Sequence, residues 1–109
     1  METTQFLYTV QPVRPGFYDE STPEEDRIVT AHFHYLKALC DRGDVLLAGR
    51  TLHTDPTSFG LVILRAGSAC EAQQIMLKDP AVEAGVFRAQ LHPFRTALAS
   101  TALLPPKVG

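Results

Sequence analysis

Residues 22–49 read TPEEDRIVTAHFHYLKALCDRGDVLLAG, a helix with both ends marked and then an immediate strand. Thr22 is a preferred N-cap, Pro23 suits the first helical position, and Glu25 completes a capping box. Glu24, Glu25 and Asp26 sit at the positive end of the helix dipole, where carboxylates are favoured. Ile28, His32, Leu36 and Leu39 recur at helical spacing, which predicts a core-facing stripe that includes one imidazole. His34, two residues on, is turned roughly 200° away and is expected to face outward. Gly43 stops the helix, and Val45-Leu46-Leu47-Ala48 follows as a strand.

The rest of the chain repeats that alternation. Phe6-Leu7-Tyr8-Thr9-Val10 is a β-branched and aromatic run, read as the first strand, and Pro12, Pro15 and Gly16 break it into a loop reaching Ser21. A turn-rich connection from Gly49 to Ser58 leads to a third strand, Phe59-Gly60-Leu61-Val62-Ile63-Leu64. Ser68 caps a second helix, with Glu71 at the capping-box position and Ala72, Ile75 and Met76 facing the core. Pro80 ends that helix at Asp79, because the residue before proline is pushed out of helical geometry. Val86-Phe87-Arg88-Ala89-Gln90-Leu91 is the fourth strand.

The resulting βαββαβ order predicts an α+β ferredoxin-like sandwich, a four-stranded antiparallel sheet with two helices on one face. Residues 1–98 form one domain in this reading, and 99–109 are an apolar, irregular tail, either a mobile end or an arm that contacts a partner subunit. The third strand is apolar on both sides, so the helix-free face needs covering as well, and a homodimer is expected.

At 109 residues with 45% hydrophobic content the chain suits a single domain with its own core. The formal net charge is −2 and Lys and Arg are scattered, so nucleic acid is not an expected partner. The third strand also lacks the paired aromatic and basic residues with which RNA-binding sheets stack bases. No apolar run approaches the roughly 18–20 residues needed to span a bilayer. The polar, acidic start Met1–Gln5 has no basic region before an apolar stretch, so a cytoplasmic protein without membrane contact is expected. Cys40 and Cys70 show no metal-ligand spacing and are predicted to be small, buried, unpaired thiols.

Two residues stand out for chemistry. His32 is an imidazole on the buried side of a helix. Most such residues are satisfied core histidines, and a functional one needs a partner to fix its tautomer. Asp79 can supply that carboxylate, although Asp before Pro is also an ordinary turn residue. Arg50 can clamp an anionic oxygen pair, and Arg14 in the first loop has a similar, weaker claim. Phe17 and Phe59 can wall an apolar pocket or simply pack in the core. His53 falls in a turn-rich loop and is expected to be exposed, while His92 stands before Pro93 at a strand end. The four histidines are dispersed without the i, i+4 spacing of a helical zinc motif, and no glycine-rich phosphate loop is present. Neither a metal nor any other cofactor is expected.

Residues from Thr22 to Leu98 resemble the YciI-like (YCII-related) family. The resemblance rests on His32, the Leu36–Leu39 face, Gly43, Leu46-Leu47-Ala48-Gly49, Ala72, Asp79-Pro80-Ala81-Val82-Glu83-Ala84-Gly85-Val86 and Pro93-Phe94. It implies a ferredoxin-like fold of the dimeric α+β barrel type and a site built on a His–Asp pair, here His32 and Asp79. It further implies proton-transfer chemistry on a small cyclic compound. Many members place Pro directly after Ala-Gly, and this chain departs from them with Arg50 and Thr51; the candidate substrate contacts are Arg50, Thr51, Arg14 and Phe59. The expected function is a cofactor-independent lyase or isomerase acting on a small cyclic or aromatic, anionic substrate. The alternative is a non-catalytic dimeric module that binds a small molecule.

Overall fold

Phe6, Tyr8 and Val10 alternate with Leu7 and Thr9, and this period of two lays the first strand against a core on one side only. The computed structural model describes residues 4–104, in which β1 (Gln5–Pro12), α1 (Pro23–Asp41), β2 (Val45–Arg50) and β3 (Gly60–Arg65) are followed by α2 (Ala69–Lys78), the short α3 (Pro80–Glu83) and β4 (Phe87–Phe94). The fold is the expected α+β ferredoxin-like sandwich, with an antiparallel sheet ordered β2-β3-β1-β4. Among the described residues no helix is long and apolar enough to cross a membrane.

Phe6, Tyr8, Val10, Val62 and Leu64 project from the sheet to meet Leu36 and Leu39 of α1 and Ala72 and Met76 of α2. Each fully buried aliphatic side chain contributes roughly 1.5–3 kcal/mol. On the opposite face Leu7, Leu47, Leu61 and Ile63 are only half-buried, and no described element lies over them.

Local chemistry explains the ends of α1. The Thr22 hydroxyl accepts from the Glu25 N–H at 3.1 Å, and Glu25 Oε1 accepts from the Thr22 N–H at 2.9 Å. At the other end Gly43 takes a φ of +82°, which few side-chain-bearing residues tolerate. Its N–H reaches the Cys40 carbonyl while the Asp44 N–H reaches that of Leu39, the paired bonds of a Schellman turn. The chain therefore reverses at once, and β2 runs back along α1.

Several expectations need correction. Glu71 does not close a capping box on Ser68: its Oε2 accepts from the Gly67 N–H at 2.7 Å instead. β4 extends through Pro93 to Phe94, which an edge strand permits because the missing N–H breaks no interior ladder. Cys40 and Cys70 are free, as expected, but both are exposed. Cys40 projects beyond the core along the open flank of α1, and Cys70 is turned about 200° from the buried Ala72. His34, His53 and His92 are exposed. Of the tail, residues 101–103 form one 3-10 turn with Leu98, Leu103 and Leu104 exposed. Residues 1–3 and 105–109, which include Pro105-Pro106, lie outside the described residues.

Candidate active site

Asp79 is fully buried, and its position follows from the proline after it. With φ −58° and ψ 123° it leaves α2 and serves as N-cap of α3, accepting the Ala81 N–H on Oδ1 at 3.0 Å. The carboxylate is thereby aimed at the sheet and at α1. Tyr8, fully buried on β1, donates its hydroxyl to Oδ2 at 2.8 Å. His32 of α1 brings Nδ1 to within 2.7 Å of Oδ1 and 2.8 Å of Oδ2.

These contacts set the tautomer. The Ala81 N–H and the Tyr8 O–H both donate into Asp79, so its oxygens act as acceptors and the His32 bond requires Nδ1 to carry the hydrogen. Burial, followed by the charge and hydrogen bond of Asp79, holds the Tyr8 phenol far above its ordinary range, which keeps it a donor. Tyr35 is shifted upward for the same leading reason, with Asp79 second, and its hydroxyl donates to the Ile75 carbonyl at 2.7 Å. The His32 ring rests edge-on against Phe87, with centroids 5.4 Å apart. Its side chain keeps 15% exposure. Nε2 has no hydrogen-bond partner among the described residues, yet it is not a buried unsatisfied atom, so it opens onto the space beyond.

That space is a cavity of about 540 Å³ between α1 and the β2 end of the sheet, with His32, Phe87, Tyr18 and Arg50 in its wall. Arg50 comes level with His32 because β2 retraces α1. From Val45 to Arg50 the strand climbs roughly 17 Å, and from Asp41 back to His32 the helix covers roughly 14 Å. A β-bulge sets the side of the sheet on which Arg50 falls. The register slips between Val45 and Leu47, which places Ala48 and Arg50 opposite Val62 and Gly60 on the helix-bearing side. A regular strand from Val45 would have put Ala48 and Arg50 on the other face. The Arg50 guanidinium lies 5.9 Å from the Tyr18 ring centroid, a cation–π contact that leaves its N–H groups largely uncommitted.

The other candidate contacts are held elsewhere. Arg14 forms a two-pronged pair with Glu25, Nε–Oε2 2.9 Å and NH2–Oε1 2.7 Å, and also donates to the Glu20 carbonyl. It fastens the first loop to the start of α1 and is not part of the cavity wall. The Thr51 hydroxyl accepts from the Phe59 N–H at 3.1 Å, closing the neck of the β2–β3 loop, and neither Thr51 nor Phe59 lines the cavity. Phe17 packs edge-on against Tyr18 and Phe87, behind the wall rather than in it. Tyr18 belongs to the side-chain-rich first loop, with Arg14 and Phe17, whereas no motif in the sequence points to Tyr8. Tyr8 had one legible signal, since a hydroxyl at the centre of an inward-facing Phe–Tyr–Val alternation needs a buried acceptor.

The family model for the YCII-related domain matches residues 8–95, from the Tyr8 strand to the end of the sheet. The chain belongs to the YCII-related domain family. No curated protein matches it. Among solved structures, this YCII-related domain is similar to 5-chloro-2-hydroxyhydroquinone dehydrochlorinase (TftG) from Burkholderia phenoliruptrix AC1100, in complex with 2,5-dihydroxybenzoquinone. The TM-score is 0.64 at 23% identity, over 84% of this chain and 93% of that one. The likeness is one of fold. In this YCII-related domain the helix, the sheet and the Asp79-Pro80 junction converge on a single imidazole facing an apolar cavity.

Proposed function

We propose that the protein is a cofactor-independent lyase or isomerase that moves a proton on a small cyclic or aromatic, anionic substrate through His32. The observation that carries this reading is the Nδ1–Asp79 bond, which leaves His32 Nε2 as a free basic nitrogen at the cavity wall. The substrate's hydroxyl or ring C–H gives its proton to Nε2, and Asp79 stabilises the imidazolium that forms. Negative charge left on the substrate oxygen is met by Arg50. The same proton then returns from Nε2–H to another substrate atom or departs with a leaving group. The substrate class draws support from the fold's likeness to a dehydrochlorinase bound to a dihydroxyquinone. In the same reading the uncovered sheet face belongs to a homodimer interface, and the described part of the tail, residues 99–104, reaches toward the partner.

The test is His32→Gln against a panel of hydroxylated and chlorinated hydroquinones, followed by chloride release and ring absorbance. Turnover falls by about 10²–10⁴ while the circular dichroism spectrum and ligand affinity are kept. Unchanged turnover removes His32 from the chemistry. Binding without conversion by the wild type points instead to a small-molecule-binding module.

A further inference from the structure

The cavity extends well past the imidazole. Its α1 wall runs from Val29 to Asp41, twelve steps of helix or about 18 Å. His32 stands near one end, and Cys40 lies eight residues, about 12 Å, toward the other. A volume of about 540 Å³ belongs with sites that take a multi-ring or chain-bearing molecule, and a single substituted ring leaves much of it empty. The space exists because the sheet residues beneath this flank are small. Ala48, Gly49 and Gly60 line it, and the buried residues of α1 are Leu36 and Leu39, with Ile28, Val29 and Tyr35 half-buried against the core.

Polarity divides the cavity along its length. The Arg50 guanidinium, the Tyr18 ring and His32 Nε2 gather at one end. Toward the other end the wall is Leu36, Ala48 and the Cys40 thiol. Lys37 and Asp41 edge this end but are paired with each other at 2.9 Å, both well exposed, so they offer no unpaired charge to a ligand. Phe33 is 60% exposed, a large aromatic face met edge-on by the His34 ring at 5.7 Å and otherwise open. Building on the proton-transfer reading above, we propose that the natural ligand is bipartite: an ionisable ring held between His32 and Arg50, carrying an apolar extension that lies along α1 toward Cys40. The extension is an alkyl chain or a second ring, since the wall there is mostly apolar and its two charges are paired with each other.

Cys40 is a reporter already in place at the far end, once the other exposed thiol is removed by Cys70→Ser. The probes are salicylate and its 5-alkyl derivatives from methyl to octyl, with affinity read by calorimetry and Cys40 alkylation by iodoacetamide. Affinity is expected to rise about three- to fourfold per methylene, the value of one buried CH₂, and then level off where the chain meets solvent. Octylsalicylate slows Cys40 alkylation at least tenfold, and salicylate itself leaves it unchanged. Ala48→Trp abolishes the chain-length gain. Affinity independent of chain length, or equal Cys40 reactivity with octylsalicylate bound, overturns the proposal. Decanoate carries the chain without the ring: protection of Cys40 by decanoate upholds the apolar arm even where His32→Gln shows no effect on turnover. A thiol that is unreactive without ligand and opens on dilution also overturns it, by assigning this end of the cavity to a second copy of the chain.

Discussion

Tyr8 and Asp79 show what one buried hydrogen bond does at the scale of a residue. The Tyr8 phenol is an acid whose folded-state proton is held far more tightly than in the unfolded chain, where it leaves near its ordinary value of 10.0. Its contribution to stability is therefore complete below about pH 10 and is lost as pH rises beyond it, because only the unfolded chain has released the proton. Tyr8→Phe is expected to flatten the alkaline fall in unfolding free energy by up to about 1.4 kcal/mol per pH unit, measured by urea denaturation from pH 9 to 11. At pH 7 the same variant loses about 1.5–3 kcal/mol, the worth of a hydrogen bond to a charged group. It leaves the His32–Asp79 contact in place. A Phe variant with the wild-type alkaline slope assigns that slope to another group.

At the scale of elements, α1 was legible almost to the residue because its signals are local. Thr22, Pro23 and Glu25 cap one end, Gly43 turns the other, and Leu36 and Leu39 repeat on one face. Thr22→Ala is expected to cost about 1 kcal/mol, read as a lowered midpoint in chemical denaturation with unchanged slope. The cap is further tied by Arg14, whose hydrogen bonds lower the Glu25 carboxyl to about 2. That pairing took Arg14 away from the substrate role its charge had suggested, and no pattern in the sequence marks which carboxylate an arginine will choose. The His32–Asp79 pair was legible through its motif, since Asp79-Pro80 marks a helix junction and His32 lies on the inward stripe. The bulge in β2 was not. Leu46 reads as one more apolar strand residue, yet the extra residue there puts Arg50 on the helix side. A register slip depends on the strand opposite, so it leaves no mark in a single segment.

The whole molecule has one finished face and one unfinished face. Leu7, Leu47, Leu61 and Ile63 form an apolar centre on the sheet side away from the helices. Ile63→Lys is expected to give a folded monomer where the wild type elutes as a dimer, with masses read by light scattering. A wild type that is monomeric at micromolar concentration removes the homodimer from the proposal. The two faces also divide the labour, because everything that touches His32 lies on the helix side. Asp79 joins four elements at once: it ends α2, caps α3, and receives β1 through Tyr8 and α1 through His32. Under the proposed proton transfer this carboxylate serves both the chemistry and four elements of the fold, whereas the imidazole ties α1 to Asp79 alone. In a descendant that had given up its chemistry, the aspartate would be retained for the sake of the fold while the histidine was free to drift. The proposed chemistry therefore predicts that, across related sequences, the histidine rather than the aspartate is the residue whose presence marks a working site.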